Sequence, residues 1–209
     1  EGNTPELPSY IVNSKAEVDS EQELFKALEN PFIEDIEIKN DIFIEAKTEY
    51  DYFSVKAYCN KNIIGNGYKI EYGIGWYRYP LTIYVEDSST INNLCIENVN
   101  ISVKSSTEIT NIEAKDASFY CYNYGNNELL KIDNLTGENV SIGGNVELTN
   151  SKIIEGSIRA SEKTIIKDCE ISYPESRSAV IDVPMSSKIT LENVKISSNK
   201  ENIKIVEGG

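Results

Sequence analysis

The chain has 209 residues, 34 of them acidic and 20 basic, a net charge of −14 and no histidine. That acidity argues against a nucleic-acid or anionic-membrane partner, since both need a basic footprint. The lack of histidine excludes every Ser/His and Cys/His catalytic arrangement, so an enzyme here would have to work through Asp, Glu, Lys, Arg or Tyr.

Residues 1–17 are polar, contain Pro5 and Pro8 and show no steady pattern, which predicts an extended N-terminal arm before one domain over 18–209. The first residue is Glu1 and the one methionine is Met185, so the native start is expected to lie upstream or to have been removed. Ser20-Glu-Gln-Glu23 spells a capping box ahead of Leu24, Phe25, Ala27 and Leu28, and Asn30-Pro31 ends the pattern. Together these predict a helix over 20–30.

Beyond the helix one phrase recurs, seen most clearly as Ile189-Thr-Leu191-Glu-Asn193-Val-Lys-Ile196. An apolar residue alternates with an outward one, Asn or Asp follows, and an apolar residue returns three positions later. Copies place the Asn or Asp at 40, 66, 98, 116, 139, 168 and 193, a mean spacing of 25.5 residues. Each copy predicts a short strand ended by a residue that tolerates the left-handed backbone conformation. One such strand cannot bury its own apolar side, whereas stacked copies bury each other's.

The outward residue before each Asn or Asp reads Lys39, Gly65, Glu97, Lys115, Glu138, Lys167, Glu192, with alternating sign from Glu97 on. Alternation of that kind suits neighbouring layers, where opposite charges face each other. A further copy at Val146/Leu148/Asn150/Ile153 would put Thr149 in this column and reads as a second strand of the same coil. In a leucine-rich repeat the Asn would stand three residues after the second apolar position, but here it stands two after (Ile96 to Asn98). The expected fold is therefore all-β, a parallel β-helix of about seven coils whose open N-terminal end the helix caps.

A helix with Glu23-Leu24 and Ala27-Leu28, then Ile36-x-Ile38, Ile42-x-Ile44 and Asn62-Ile-Ile-Gly-Asn-Gly-Tyr-Lys-Ile70, resembles the opening of the pectate-lyase-like superfamily. The likeness continues as the coil repeat to about residue 197. It implies a single-stranded, right-handed parallel β-helix. It does not specify an activity, because the superfamily holds lyases, hydrolases, esterases, phage tailspikes and non-catalytic surface proteins. The lyases' Arg-x-Pro-x-x-Arg is matched only by Arg78-Tyr-Pro80, with Ile83 where the second Arg belongs. A polygalacturonase-type Gly-His-Gly is excluded, and the sole glutamine, Gln22, lies in the helix rather than beside paired Asp as a pectinesterase-like site needs. No cofactor is expected, although Glu86-Asp87 leaves room for calcium.

Loops on a rigid scaffold collect function, and the longest gap between copies holds Tyr72-Gly-Ile-Gly-Trp-Tyr-Arg-Tyr-Pro80. Trp76, Tyr77, Arg78 and Tyr79 are thus candidate ligand-binding residues. Tyr120, Tyr122 and Tyr124 form a second group, turned outward by alternation with Phe119 and Cys121. Flat rings on a β surface can stack on sugars while Arg and carboxylates bond hydroxyls. The competing reading is that Tyr favours half-buried strand positions and that Trp76 packs its loop onto the coil.

Cys121 and Cys169 read as small buried hydrophobes, and Asn100, Asn134 and Asn139 head three glycosylation sequons. The charge column and the Asn/Asp column read as structural devices. The expected function is a non-catalytic, secreted or cell-surface module of a bacterial type for adhesion or glycan contact. Its partner would be a polysaccharide or surface glycan, and no apolar run is long enough to insert in a membrane. The alternatives are a polysaccharide lyase using Arg78 or a Lys, and a passive spacer.

Overall fold

The computed structural model describes residues 14–46, 53–73, 79–122, 128–173, 179–199 and 202–205. Short strands follow one another around three faces, and each pairs in parallel with the strand one coil on. Face A begins with β1 (Lys15–Val18), β2 (Asp35–Ile38), β5 (Asn62–Ile64) and the first half of β8 (Ser89–Glu97). Face B has β3 (Ile42–Ile44), β6 (Lys69–Tyr72) and the second half of β8. Face C has β4 (Ser54–Ala57), β7 (Leu81–Val85) and β9 (Val99–Val103). Later strands run through the corners: β10 (Thr107–Cys121), β11 (Leu130–Thr149), β12 (Lys152–Ile154), β13 (Ser157–Tyr173), β14 (Ile181–Val183), β15 (Ile189–Ser198) and β16 (Ile203–Ile205). The result is a right-handed parallel β-helix.

Period-two alternation sends one side chain of every pair inward, and the register stacks these by chemical type. On face A, Ile36, Ile63, Ile91, Ile109 and Ile132 lie one above the next. On face C the inward column runs Val55, Ile83, Ile101, Phe119, Ile142, Ile158, Ile181, Ile203. Most of these are at most 5% exposed, and each fully buried aliphatic contributes roughly 1.5–3 kcal/mol. The layer that carries the bulky Phe119 has Ala114 in its face B position, which keeps the core volume level.

The face C column counts eight coils, one above the expected seven or so, and the extra coil has a local cause. Phe119 to Ile142 takes 23 residues, but Ile142 to Ile158 takes only 16. Gly144 allows this tight return from face C to face A with φ +88°; a Cβ there would lie 2.0 Å from the Cys121 carbonyl oxygen. The segment Val146–Ile153, expected as a second strand within one coil, is thus a layer of its own, between Gly137 and Ile171 on face B.

This corrects the single Asn/Asp column into two. Six of its seven members, Asn66, Asn98, Asp116, Asn139, Asp168 and Asn193, have φ between 49° and 56°, as the turn argument requires; Asn40 does not. They divide between two corners. The A-to-B corner carries Asn66, Asn93, Asn111, Asn134, Asn150, Asp168 and Asn193, and the B-to-C corner carries Asn98, Asp116 and Asn139. Amides link successive layers: Asn134 Nδ2 donates to Asn111 Oδ1 at 2.8 Å, and Asn139 Nδ2 to Asp116 Oδ1 at 2.6 Å.

The charge column divides in the same way. Glu97, Lys115 and Glu138 lie on successive layers of face B, with Lys115 Nζ 3.2 Å from Glu97. Glu138 is then followed by Ile154, not Lys167, which pairs with Glu192 on face A at 3.4 Å.

The helix α1 (Glu21–Glu29) closes the first coil with Leu24, Ala27 and Leu28 buried in the common core. Its capping box is only half used. Ser20 makes no side-chain cap bond, and the Glu23 carboxylate accepts the Asp19 N–H at 3.1 Å, one residue earlier than expected. Strand β1 pairs with β2, so the stack already includes Lys15–Glu17, the end of the stretch expected as an arm. The chain leaving the helix is held by Lys61, 2% exposed, whose Nζ donates to the carbonyls of Asn30 at 2.7 Å and of Ile33. Burial lowers the Lys61 pKa, and these two carbonyls take the place of water around its ammonium.

Candidate functional site

Outward positions on face C form two rows. One runs Ser54, Thr82, Asn100, Ser118, Ser141, Ser157, a line of hydroxyls and one amide. Two residues along lies Lys56, Tyr84, Ser102, Tyr120, Gly143, Arg159, Asp182, Lys204. Adjacent layers are roughly 4.8 Å apart, so residues two layers apart can meet over the one between.

The gap that matters is Gly143. A Cβ there would come within 2.8 Å of Tyr120 Cδ2 and Cε2, so the ring of Tyr120 lies across the glycine toward the layer of Arg159. Beside the ring a cleft of about 450 Å³ opens, floored by Ser118, Ser141 and Ser157. Arg159, Asp182 and Lys204 form its far wall. A second hollow of about 320 Å³ continues from Tyr120 and Arg159 to Ser161 and Ser187. The Ser141 and Ser157 hydroxyls lie 3.1 Å apart, and Asn100 Oδ1 accepts the Ser118 N–H at 2.9 Å, which fixes the row.

Most cations of the stack are paired, although Lys152 on face B has no ion pair among the described residues and Lys56 on face C has one. Lys15, Lys39, Lys69, Lys115 and Lys167 on faces A and B all have carboxylate partners within 4 Å. Arg159, Asp182 and Lys204 have no ion pair or hydrogen bond among the described residues, although they are neighbours in register. Further along, Glu86 is flanked by Lys104 at 3.3 Å and Lys56 at 3.7 Å, so its charge is already offset before any calcium could arrive. Among the described residues no three Cys, Asp or Glu gather as a metal cage would need.

The expected site residues fall into three groups. Tyr120 and Tyr122 face outward from face C but are half-buried, and Tyr122 meets Tyr84 edge-on at 6.3 Å. Burial, then the charge of Glu86, raises the Tyr122 pKa, so its hydroxyl stays neutral. Tyr79 is 48% exposed just before β7. Trp76, Tyr77, Arg78 and Tyr124 lie outside the described residues.

Arg159, Gly143 and the serine row were not singled out from sequence. Arg159 lies 39 positions after Tyr120 yet only two layers away, and only the short coil through Gly144 puts it there. The signal available was the repeated Ser two residues before Tyr120, Gly143 and Arg159. All four cysteines are free thiols, with Cys121 and Cys169 buried as expected. The sequon residues Asn134 and Asn139 spend their amides in the corner ladders.

Among the described residues no helix is long and apolar enough to cross a membrane. Neither the curated proteins nor the solved structures give a match. A family model described as a "putative pectate lyase-like adhesive domain" matches residues 15–155, from the first residue of β1 to just past β12. Residues 157–205 extend the same stack in register. The chain therefore belongs to the pectate lyase-like adhesive domain family.

Proposed function

We propose that this chain is a non-catalytic adhesive module, secreted or displayed on a cell surface, that holds a glycan in the face C cleft. Membership in an adhesive-domain family supports an adhesion-like role and a surface or extracellular setting. The observation that carries the glycan reading is the arrangement around Gly143, where an aromatic ring, three hydroxyls and a guanidinium with no ion pair among the described residues share one open cleft. Sugars present an apolar ring face and a rim of hydroxyls, and a concave surface mixing one aromatic with fixed polar groups suits both. The non-catalytic reading is supported by the lack of histidine and by Ile83 standing where the lyase motif needs a second Arg. The Trp76–Tyr79 segment, whose Tyr79 is exposed, is a second proposed contact for its cluster of aromatic side chains in the sequence.

The test is retention on a glycan array. Tyr120→Ala should weaken retention at least roughly tenfold, as removal of an aromatic anchor does, with little change in the melting curve. Trp76→Ala tests the second contact in the same way. Undiminished retention by Tyr120→Ala would move the site off face C, and no retention of the parent protein on any glycan would favour the spacer reading. Release of unsaturated uronides in the presence of calcium would overturn the non-catalytic reading.

A further inference from the structure

We infer that the Tyr120–Gly143–Arg159 row is a clamp for a sugar carrying a single negative substituent, a carboxylate or a sulfate ester. This rests on the glycan reading above and adds the ligand's charge. Arg159 is the one arginine among the described residues, it is exposed, and among those residues no carboxylate pairs with its guanidinium. A guanidinium presents parallel N–H donors that match the oxygens of a carboxylate or sulfate, and such charge-assisted bonds are stronger than neutral ones.

Gly143 joins the two halves of the clamp. With no side chain on the layer between them, the Tyr120 ring reaches over toward Arg159, so one sugar can lie on the ring and offer its acidic group to the guanidinium. The backbone at Gly143 is outside the left-handed range, so the glycine is not needed for the turn. Alanine there would be tolerated by the chain and would meet the ring at 2.8 Å.

The number of charges follows from the rest of the molecule. Asp182 lies next to Arg159, and Lys204 beyond it, so the described residues of the far wall carry one excess positive charge. A net charge of −14 surrounds this spot and repels a polyanion. The ligand that fits is an otherwise neutral glycan with one acidic group.

The experiment uses the full chain on an array that pairs neutral oligosaccharides with versions of each bearing one sialic acid or one sulfate ester. The expected result is retention on the singly charged versions, weaker by roughly tenfold or more on the neutral parents. Arg159→Gln should reduce the charged versions to the level of their parents, while Gly143→Ala should lose both. If Gly143→Ala does not fold, Arg159→Gln decides alone, because an exposed side chain can be changed without touching the core. Preference for sialylated over sulfated glycans names the carboxylate, and the reverse names the sulfate. Equal retention on the neutral parents, or retention on polyuronates alone, overturns this inference and leaves the glycan reading in place. No retention on any glycan overturns both.

Discussion

Faces A and B pair most of their cations with carboxylates, whereas the later coils of face C leave Arg159, Asp182 and Lys204 without an ion pair among the described residues. On face A, Lys15 and Lys39 hold Glu37 at 2.6 and 2.7 Å, and on face B, Lys69 bridges Glu71 and Glu97. These pairs relieve like charges that the register puts opposite each other, Glu17 with Glu37 and Glu71 with Glu97. On face C the same backbone spacing presents Tyr120, Gly143, Arg159, Asp182 and Lys204, with an open cleft among them. The comparison teaches that one repeat geometry serves two ends. Where outward side chains satisfy one another the face is structural, and where they do not the face is available to a ligand.

The sharpest way to break this distinction is to change adjacent residues on opposite sides of one strand. Phe119 is fully buried and Phe119→Ala should cost about 3–5 kcal/mol of unfolding free energy, read from denaturant midpoints. Tyr120→Ala, one position along and outward, should cost no more than about 1 kcal/mol. Equal losses would mean that face C is as structural as its neighbours.

A smaller effect is expected at the corners, which all faces share. Asn139 combines φ 52° with an amide bond to Asp116, so Asn139→Ala should cost about 1–3 kcal/mol, with Asn139→Gly recovering part of it. Recovery absent in the glycine variant would show that the amide bond, not the backbone conformation, dominates there.

The smallest effect concerns the charge ladder and shows itself through pH. Hydrogen bonds from Lys15 and Lys39 lower the Glu37 pKa to about 2 from an ordinary 4.5. Glu37 is ionised in the fold over a range where the unfolded chain would be protonated. Its contribution is therefore present above about pH 4.5 and lost as pH falls through about 2. The melting temperature should fall over that window, and Glu37→Gln should flatten the part of the fall that this carboxylate causes. An identical fall in the variant would assign the acid sensitivity elsewhere.

Much of this architecture was legible in the chain. Alternation and the Asn/Asp turn residues gave the strands, the stacking and the neighbouring layers of Glu97, Lys115 and Glu138, because those features depend on chemistry within a few residues. Coil length was not legible. Asn98 and Asn111 look alike in sequence, yet they turn different corners of successive layers, since both corners require the same left-handed residue. Merging the two corners put Lys167 beside Glu138 and hid the 16-residue coil that turns at Gly144.

The candidate site was half legible for the same reason. Tyr120 could be turned outward by local alternation, but its nearness to Arg159 is a property of the coil between them.

That coil can be tested by crosslinking. Parallel neighbours have Cα atoms roughly 4.8 Å apart, within the span of a disulfide. Cysteines at Glu138 and Ile154 should form a disulfide readily in the folded chain, and cysteines at Glu138 and Lys167 should not. Crosslinking of Glu138 to Lys167 but not to Ile154 would remove the 16-residue coil, and with it the cleft that joins Tyr120 to Arg159.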